Sequence, residues 1–382
     1  MLYLLFLLGS IVIVTGEVIF ILFWVFIRRR YSQEKTSPFT PNTCIIMPCK
    51  GADEHFSNNI EAFCRQNYAG YHLVCVVDSI QDPAYPVLQN LATKKNNIRI
   101  IVTDIIEGCS GKISALMTGV QNTQDAEVYV FADSDIKPHE NWLCSLVMPL
   151  QDETVGTATS YRWYFPSNLK SYVISAWNAS STILLFSRFN CTWGGSTAIR
   201  KKLFDALDIM SRWRTGFSDD LIMTKVVKNA GYKIIMVPQS IAESHTGDNI
   251  RAFIGWGTRQ FTWIQWYHPF FRIFSLISLL GLTLFIGLGV FLILFGFFVP
   301  ALILVLCMFL LIIYGWQTFT TMRTLMRYPR EKFGSSFVFS LTMPVSLRFV
   351  YYNVLVSCFR HSLQWQGRWY KLSDLNIDSE MD

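Results

Sequence analysis

EVYVFADSDIKP, residues Glu127 to Pro138, is the stretch on which the reading of this chain turns. Val128 to Ala132 is short, apolar and rich in β-formers, so it reads as a buried strand. It stops abruptly at two carboxylates, Asp133 and Asp135. In an open α/β sheet, ligands gather beyond the carboxyl ends of the strands. Asp-Ser-Asp at such an end brings two hard oxygen donors near one point, suited to Mg²⁺ or Mn²⁺ carrying a diphosphate. The tripeptide alone is also what a solvated turn is made of. Its meaning depends on the rest of the chain.

Upstream, strand and helix alternate with short connections. Thr43 to Pro48, Leu73 to Val77 and Ile98 to Val102 read as strands; Asn58 to Gln66, Pro86 to Lys94 and Ser114 to Val120 read as helices. That order predicts a mostly parallel sheet with crossover helices. Downstream the pattern loosens. Helices are expected at Trp142 to Leu150, Leu169 to Phe186, Lys201 to Ile209 and Leu221 to Ala230, and strands at Gly156 to Tyr164 and Tyr232 to Val237. Tyr31 to Asn42, polar with two prolines, reads as a linker.

The 382 residues are 51% hydrophobic and only 16% charged, and the apolar excess lies at the two ends. Leu2 to Ile27 carries one charge, Glu17, and is long enough to span a bilayer. Its basic cluster, Arg28 to Arg30, follows the run instead of preceding it, which favours an anchor over a cleaved signal peptide. The positive-inside rule then puts the N-terminus outside and the centre of the chain in the cytoplasm. Ile273 to Thr320 is uncharged and suits two crossings with a turn near Gly296 to Pro300. Phe333 to Phe359 holds Pro344 and Arg348. It fits a third crossing or a re-entrant or interfacial pair of half-helices, and the cost of Arg348 against lipid tips the expectation toward a re-entrant or cavity-lining segment. The tail QWQGRWYKL has the mixture of an interfacial segment. Domains are therefore expected at 1–30 (anchor), 31–265 (catalytic) and 266–382 (transmembrane or interfacial). The net charge of +6 sits mainly beside apolar runs, which suits contact with a bilayer and not with nucleic acid. Of nine scattered cysteines without CxxC pairs, Cys44, Cys49, Cys64, Cys75 and Cys109 lie in or beside apolar segments and read as buried thiols.

Charged landmarks fall in order along the soluble part. Asp78 ends the second strand, Asp133 and Asp135 the fourth, and Asp219 and Asp220 open an amphipathic helix. Arg259 to Trp263 (RQFTW) lies just before the membrane, while Lys50 and Lys112 add positive charge. Sugar transfer from a nucleotide sugar needs this set. One carboxylate holds the nucleoside, a metal neutralises the departing diphosphate, a second carboxylate takes the proton of the attacking hydroxyl, and cationic and aromatic groups hold the diphosphate. The glycines of Trp193-Gly194-Gly195 would let backbone approach a sugar.

Over roughly Leu2 to Leu372 the chain resembles the membrane-bound inverting glycosyltransferases of GT-A fold, in particular the ceramide glucosyltransferase family. PCKGADEHFSNNIEAFCRQNY with VVDSIQDP resembles that family's opening block and first aspartate, GKISALMTG its Lys-containing loop, FADSDIKP its second aspartate motif, GFSDDLIMTK its third, and QWQGRWYKL its tail. The resemblance implies Asp78 on the nucleoside and Lys112 near the donor phosphates. Asp133 and Asp135 become ligands of Mg²⁺ or Mn²⁺ and the diphosphate, and Asp220 the general base with Asp219 as its partner. Arg259, Gln260 and Trp263 match the family's last motif, (Gln/Arg)-X-X-Arg-Trp, but Thr262 stands where arginine is usual. The activity implied is transfer of a hexose, glucose from UDP-glucose foremost, to a membrane lipid such as ceramide. Diacylglycerol, hopanoid or sterol-like acceptors, a polysaccharide synthase, and a silent scaffold on the same fold are the alternatives.

Overall fold

The structure is a computed structural model that describes residues 1–32, 39–103, 106–123, 125–245, 249–365 and 367–374. Most of the linker expected at Tyr31 to Asn42 therefore lies outside the described residues. A long helix, α1 (Leu2–Tyr31), leads into the alternating elements β1 (Thr43–Cys49), α2 (Phe56–Phe63), β2 (Tyr71–Val77), α3 (Ala84–Ala92), β3 (Ile98–Val102), α4 (Gly111–Gln121) and β4 (Val128–Ala132). There follow β5 (Ile136–Lys137), α5 (Trp142–Val147), β6 (Val155–Thr159), β7 (Arg162–Tyr164), α6 (Leu169–Leu185), β8 (Ser196–Arg200), α7 (Lys201–Ala206), α8 (Ile209–Trp213), α9 (Asp219–Asn229), β9 (Lys233–Met236) and β10 (Ala242–Ser244). The chain closes with α10 (Ile250–Tyr267), α11 (Pro269–Leu294), α12 (Val299–Leu325), α13 (Ser336–Cys358) and a hairpin of β11 (Ser362–Trp365) and β12 (Arg368–Lys371).

Seven strands form one sheet in the order β3-β2-β1-β4-β8-β6-β9, parallel except for β8, which runs against both neighbours. Strand β1 is buried on both faces, as a parallel strand between helix layers must be. Its side chains divide by the period of two: Ile45 and Met47 pack with α2, α3 and α5, while Cys44 and Ile46 pack with α4, α7, α8 and α9. Gly119 of α4 is required by that packing, because a Cβ there would run into the Ile46 side chain.

The structure departs from the sequence reading at two places. Gly156 to Tyr164 is not one strand. It breaks at Ser160 and Tyr161, so that β6 stays in the large sheet while β7 joins β5 and β10 in a second, three-stranded one. Residues Ser196 to Arg200 form β8, a strand the sequence reading passed over. The tail forms a β-hairpin packed on Phe217 and Trp263.

Helices α1, α11 and α12 are apolar and long enough to cross a bilayer, with Leu280, Leu284, Val305 and Phe309 among their exposed side chains. Helix α13 has the length and composition as well. It is one continuous helix through Pro344, where two half-helices were among the expectations, and its Arg348 is exposed. Both its ends are tied to the sheet-bearing unit. At the start, the Ser335 N–H donates to Tyr172 Oη at 2.6 Å and Phe339 stacks on Trp163. At the end, Gln265 Nε2 donates to Ser357 Oγ at 2.8 Å, Trp266 Nε1 donates to the Arg360 carbonyl at 3.0 Å, and the hairpin follows directly. A helix of 23 residues is about 34 Å long, and fastened to one unit at both ends it lies across the helix-facing side of that unit. Asn353 pins this arrangement. It accepts from Trp177 Nε1 at 3.0 Å and donates to the Ile254 carbonyl and Thr258 Oγ1, each at 2.8 Å. Asn353→Leu strands these buried partners. It is expected to cost about 3 kcal/mol, read as a lower melting temperature of the detergent-solubilised protein.

Candidate active site

Strands β2, β1 and β4 are parallel neighbours in register, so the residues just past their ends share one edge of the sheet. Those residues are Asp78, Lys50 and Asp133. Lys50 Nζ lies 2.9 Å from Asp78 Oδ2. Because β8 is antiparallel to β4, its start also falls at that edge, and the Asp133 N–H donates to the Gly195 carbonyl at 3.2 Å. Helix α9 then brings Asp219 and Asp220 in its first turn, where the helix dipole favours carboxylates.

These groups form one ion-paired cluster. Lys112 Nζ bridges Asp133 Oδ1 at 3.0 Å and Asp219 Oδ1 at 3.3 Å. A lysine in the first turn of α4 works against that helix's dipole, so its placement is explained by the carboxylates and not by the helix. Arg162 of β7 closes the other side, with Nη2 2.9 Å from Asp133 Oδ2 and Nη1 2.7 Å from Asp135 Oδ2. Its guanidinium also lies 4.7 Å from the ring centroid of Trp193. Burial pushes the Asp133 carboxyl up, but Lys112 and Arg162 outweigh it and hold the group below the usual carboxylate range. Asp219 goes the other way. Burial, with Asp220 and Asp133 nearby, lifts it to about 6 against the pull of Lys112. Asp220 is less buried. It accepts from the Leu221 N–H at 2.8 Å, from the Gly194 N–H at 3.2 Å and from the Ser218 hydroxyl.

The glycines after Trp193 are explained differently than expected. A Cβ on Gly194 would strike the Asp219 carboxylate and come within 2.8 Å of Lys112 Nζ; one on Gly195 would come within 2.6 Å of Asp133 Oδ2. The space beside Gly194 is taken by Asp219 and Lys112, and that beside Gly195 by the Trp193 ring and Asp133.

All the expected site residues except Gly194 and Gly195 line a single cavity of about 630 Å³: Lys50, Asp78, Lys112, Asp133, Asp135, Trp193, Asp219, Asp220, Arg259, Gln260 and Trp263. Arg162, Arg368 and Tyr370 join them and were missed in the sequence. The signal for Arg162 was an arginine inside the aromatic run YRWY, which needs a carboxylate partner if that run is buried. Nothing local marked Arg368, which the hairpin carries to Gly111 at the start of α4. Thr262 faces away from the cavity. It is fully buried against α13, and its hydroxyl donates to the Thr258 carbonyl at 2.8 Å.

The chain belongs to glycosyl transferase family 21, whose profile matches residues 8–377. It is 21% identical over 230 residues to ceramide glucosyltransferase 1 of Caenorhabditis elegans, covering 56% of this chain and 47% of that one. Ceramide glucosyltransferase 3 of the same organism is 20% identical over 241 residues, with 59% and 51% covered. The chain thus spans about half the length of the curated relatives it matches. Among solved structures, the mannosyltransferase PcManGT from Pyrobaculum calidifontis, in complex with GDP-Man and Mn²⁺, superposes with a TM-score of 0.54 at 16% identity, over 83% of this chain and 95% of that one. The likeness establishes the GT-A fold.

Two outcomes follow from the cluster. In the folded protein Asp219 holds its proton up to about pH 6, whereas the unfolded chain releases it near 3.8, so its contribution to stability is full below 3.8 and lost as pH rises to 6. Melting temperatures measured from pH 4 to 6 should therefore fall for the wild type relative to Asp219→Asn. Thr262→Arg, which restores the family's motif on paper, buries a cation with no carboxylate opposite. It is expected to cost about 3–5 kcal/mol and to leave nucleotide affinity unimproved, as checked by melting and by UDP titration.

Proposed function

We propose that this protein transfers a hexose from a UDP-sugar, UDP-glucose foremost, to the hydroxyl of a membrane lipid such as ceramide, with inversion at the anomeric carbon. The observation that carries the reading is the composition of the cavity. Charged groups at the strand edge line it together with Trp177, Leu184, Leu185, Phe261, Val350 and Val354, from helices that pack with the membrane-type segments. A cavity with both kinds of lining suits a polar donor and an acceptor with an apolar body. The names of the curated relatives point the same way.

Asp220 is the general base. Its carboxylate is held by the Ser218 hydroxyl and the Leu221 and Gly194 N–H groups and reaches the cavity, so it can take the proton of the lipid hydroxyl while that oxygen attacks the sugar from the side opposite UDP. Asp219, tied to Lys112, positions the pair. Asp78 with Lys50 suits the nucleoside end, and Arg259, Gln260 and Trp263 line the approach to the diphosphate.

The residues fit Mg²⁺ or Mn²⁺. Asp133 and Asp135 already converge on one cation, the Arg162 guanidinium, on their buried side, and the Asp135 side chain is 55% exposed on the other. Among the described residues no third carboxylate, His or Cys completes a metal cluster, so donor oxygens and water would supply the remaining ligands. The charge balance agrees. Five carboxylates and five cations line the cavity, so a diphosphate enters without a charge penalty only with a dication. Bound there, the metal would neutralise the charge that builds on the leaving UDP.

Arg28 to Arg30 close α1 and Arg323 closes α12, which by the positive-inside rule sets the catalytic unit on the cytoplasmic face. On that reading α1, α11 and α12 cross the bilayer, and α13 packs between them and the sheet-bearing unit. Asp220→Asn should lower kcat by about a thousandfold while keeping the thermal shift given by UDP with Mn²⁺; Asp133→Ala should lose that shift. Mass spectrometry of lipids from cells expressing each form supplies the readout, and full turnover by Asp220→Asn removes it as the base.

A further inference from the structure

Ser180 and Val350 line the cavity and also line a second groove of about 300 Å³, so the two adjoin at those residues. The groove's other walls come from four helices: Glu17 and Phe20 of α1, Ile183 of α6, Leu311 and Tyr314 of α12, and Leu347 of α13. Phe20 is 53% exposed beside the exposed Val18 and Ile19, so the groove borders the lipid-facing side of α1. Glu17 lies 11 residues before Arg28, about 16 Å along the helix, or half the hydrocarbon thickness. One of its carboxyl oxygens is buried without a hydrogen-bond partner. An ionisable residue within a span characteristically faces an interior cavity and not lipid, which marks the groove as interior space.

We propose that this groove receives the aliphatic chain of the acceptor lipid while the lipid's hydroxyl stands at Asp220. The inference rests on the lipid-acceptor reading above and adds where the acceptor enters: sideways, between α1 and α13, and not from water. The depth matches, since a chain anchored at the polar edge of one leaflet extends over about half the hydrocarbon thickness. The lining matches too, because only Glu17, Ser180 and the Tyr314 hydroxyl interrupt an apolar wall.

The test uses the full chain in phosphatidylcholine nanodiscs with ceramide or diacylglycerol bearing a diazirine midway along one acyl chain. Saturable labelling of the peptides that hold Ile183, Leu311 and Leu347, competed by the same lipid without diazirine, is the expected result. Leu347→Trp and Ile183→Trp should reduce that labelling. They should also lower the ratio of kcat/KM for long-chain over short-chain acceptor about tenfold, the loss expected when some two methylenes are no longer buried. Labelling that is unsaturable and spread over the outer faces of α11 and α12 overturns the proposal, as does an unchanged ratio in folded variants. Should a variant not fold, the wild-type labelling map decides alone. Saturable labelling without sugar transfer to any lipid would leave the groove standing and remove the function proposed above, so the two failures are distinguishable.

Discussion

The site depends on one constraint: Asp133 cannot stay charged where β4 ends unless cations meet both its oxygens. Lys112 takes one and Arg162 the other, and each cation is shared with a second carboxylate. Taking one charge out of water is expensive, and the cost is recovered only when the partners are close and fixed. The elements that carry the partners are thereby fixed as well. Helix α4 must start where Lys112 reaches, β7 must leave the main sheet so that Arg162 can turn back toward β4, and α9 must begin with Asp219 against Gly194. The break at Ser160 and the paired glycines are consequences of that requirement.

The same cluster balances the charge of a site rich in carboxylates. Each acid is matched, so the cavity presents no excess of either sign. The charges are distributed by depth. Lys112 and Arg162 are almost wholly buried, whereas Asp135 is open to solvent. The buried cations maintain the shape of the pair at Asp133 and Asp135, and the open carboxylate is left to exchange partners. This separates a structural counter-ion from a replaceable one within a single motif.

Much of this was legible in the sequence, for physical reasons that differ by element. Strands β1, β2, β3 and β4 are short apolar runs bounded by polar turns, and their alternation with helices left little freedom in topology. Their terminal aspartates were therefore readable as a group. Strand β8 was not, because STAIR is five residues with no alternation and its direction is set by β4 and β6, both distant in sequence. Gly156 to Tyr164 misled because apolar content continues across the break, while the reason for the break is the charge on Arg162. Helix α13 was ambiguous because hydropathy reports only that a face is apolar. Whether that face meets lipid or a protein surface is decided by Tyr172, Trp177 and Gln265, none of which is near it in the chain.

The hairpin and the altered last motif have a common explanation in how α10 is seated. One face of α10 presents Arg259, Gln260 and Trp263 to the cavity, and the adjoining face presents Gly257, Thr258 and Thr262 to α6 and α13. That second face is packed closely: a Cβ on Gly257 would come within 2.7 Å of Trp177 and 2.9 Å of the Asn353 amide. A long cation at position 262 is incompatible with such contact. Beyond Arg259, positive charge in the cavity comes from outside the motif, through Arg162 on β7 and Arg368 on β12. Arg368 arrives there because α13 runs back over the catalytic unit, and Tyr370 beside it packs on Phe217 and Trp263 with ring centroids 5.2 and 5.6 Å away. The helix that excludes the motif's arginine is thus the one that delivers another from the end of the chain, and the lining of the cavity is complete only with the C-terminal segment in place.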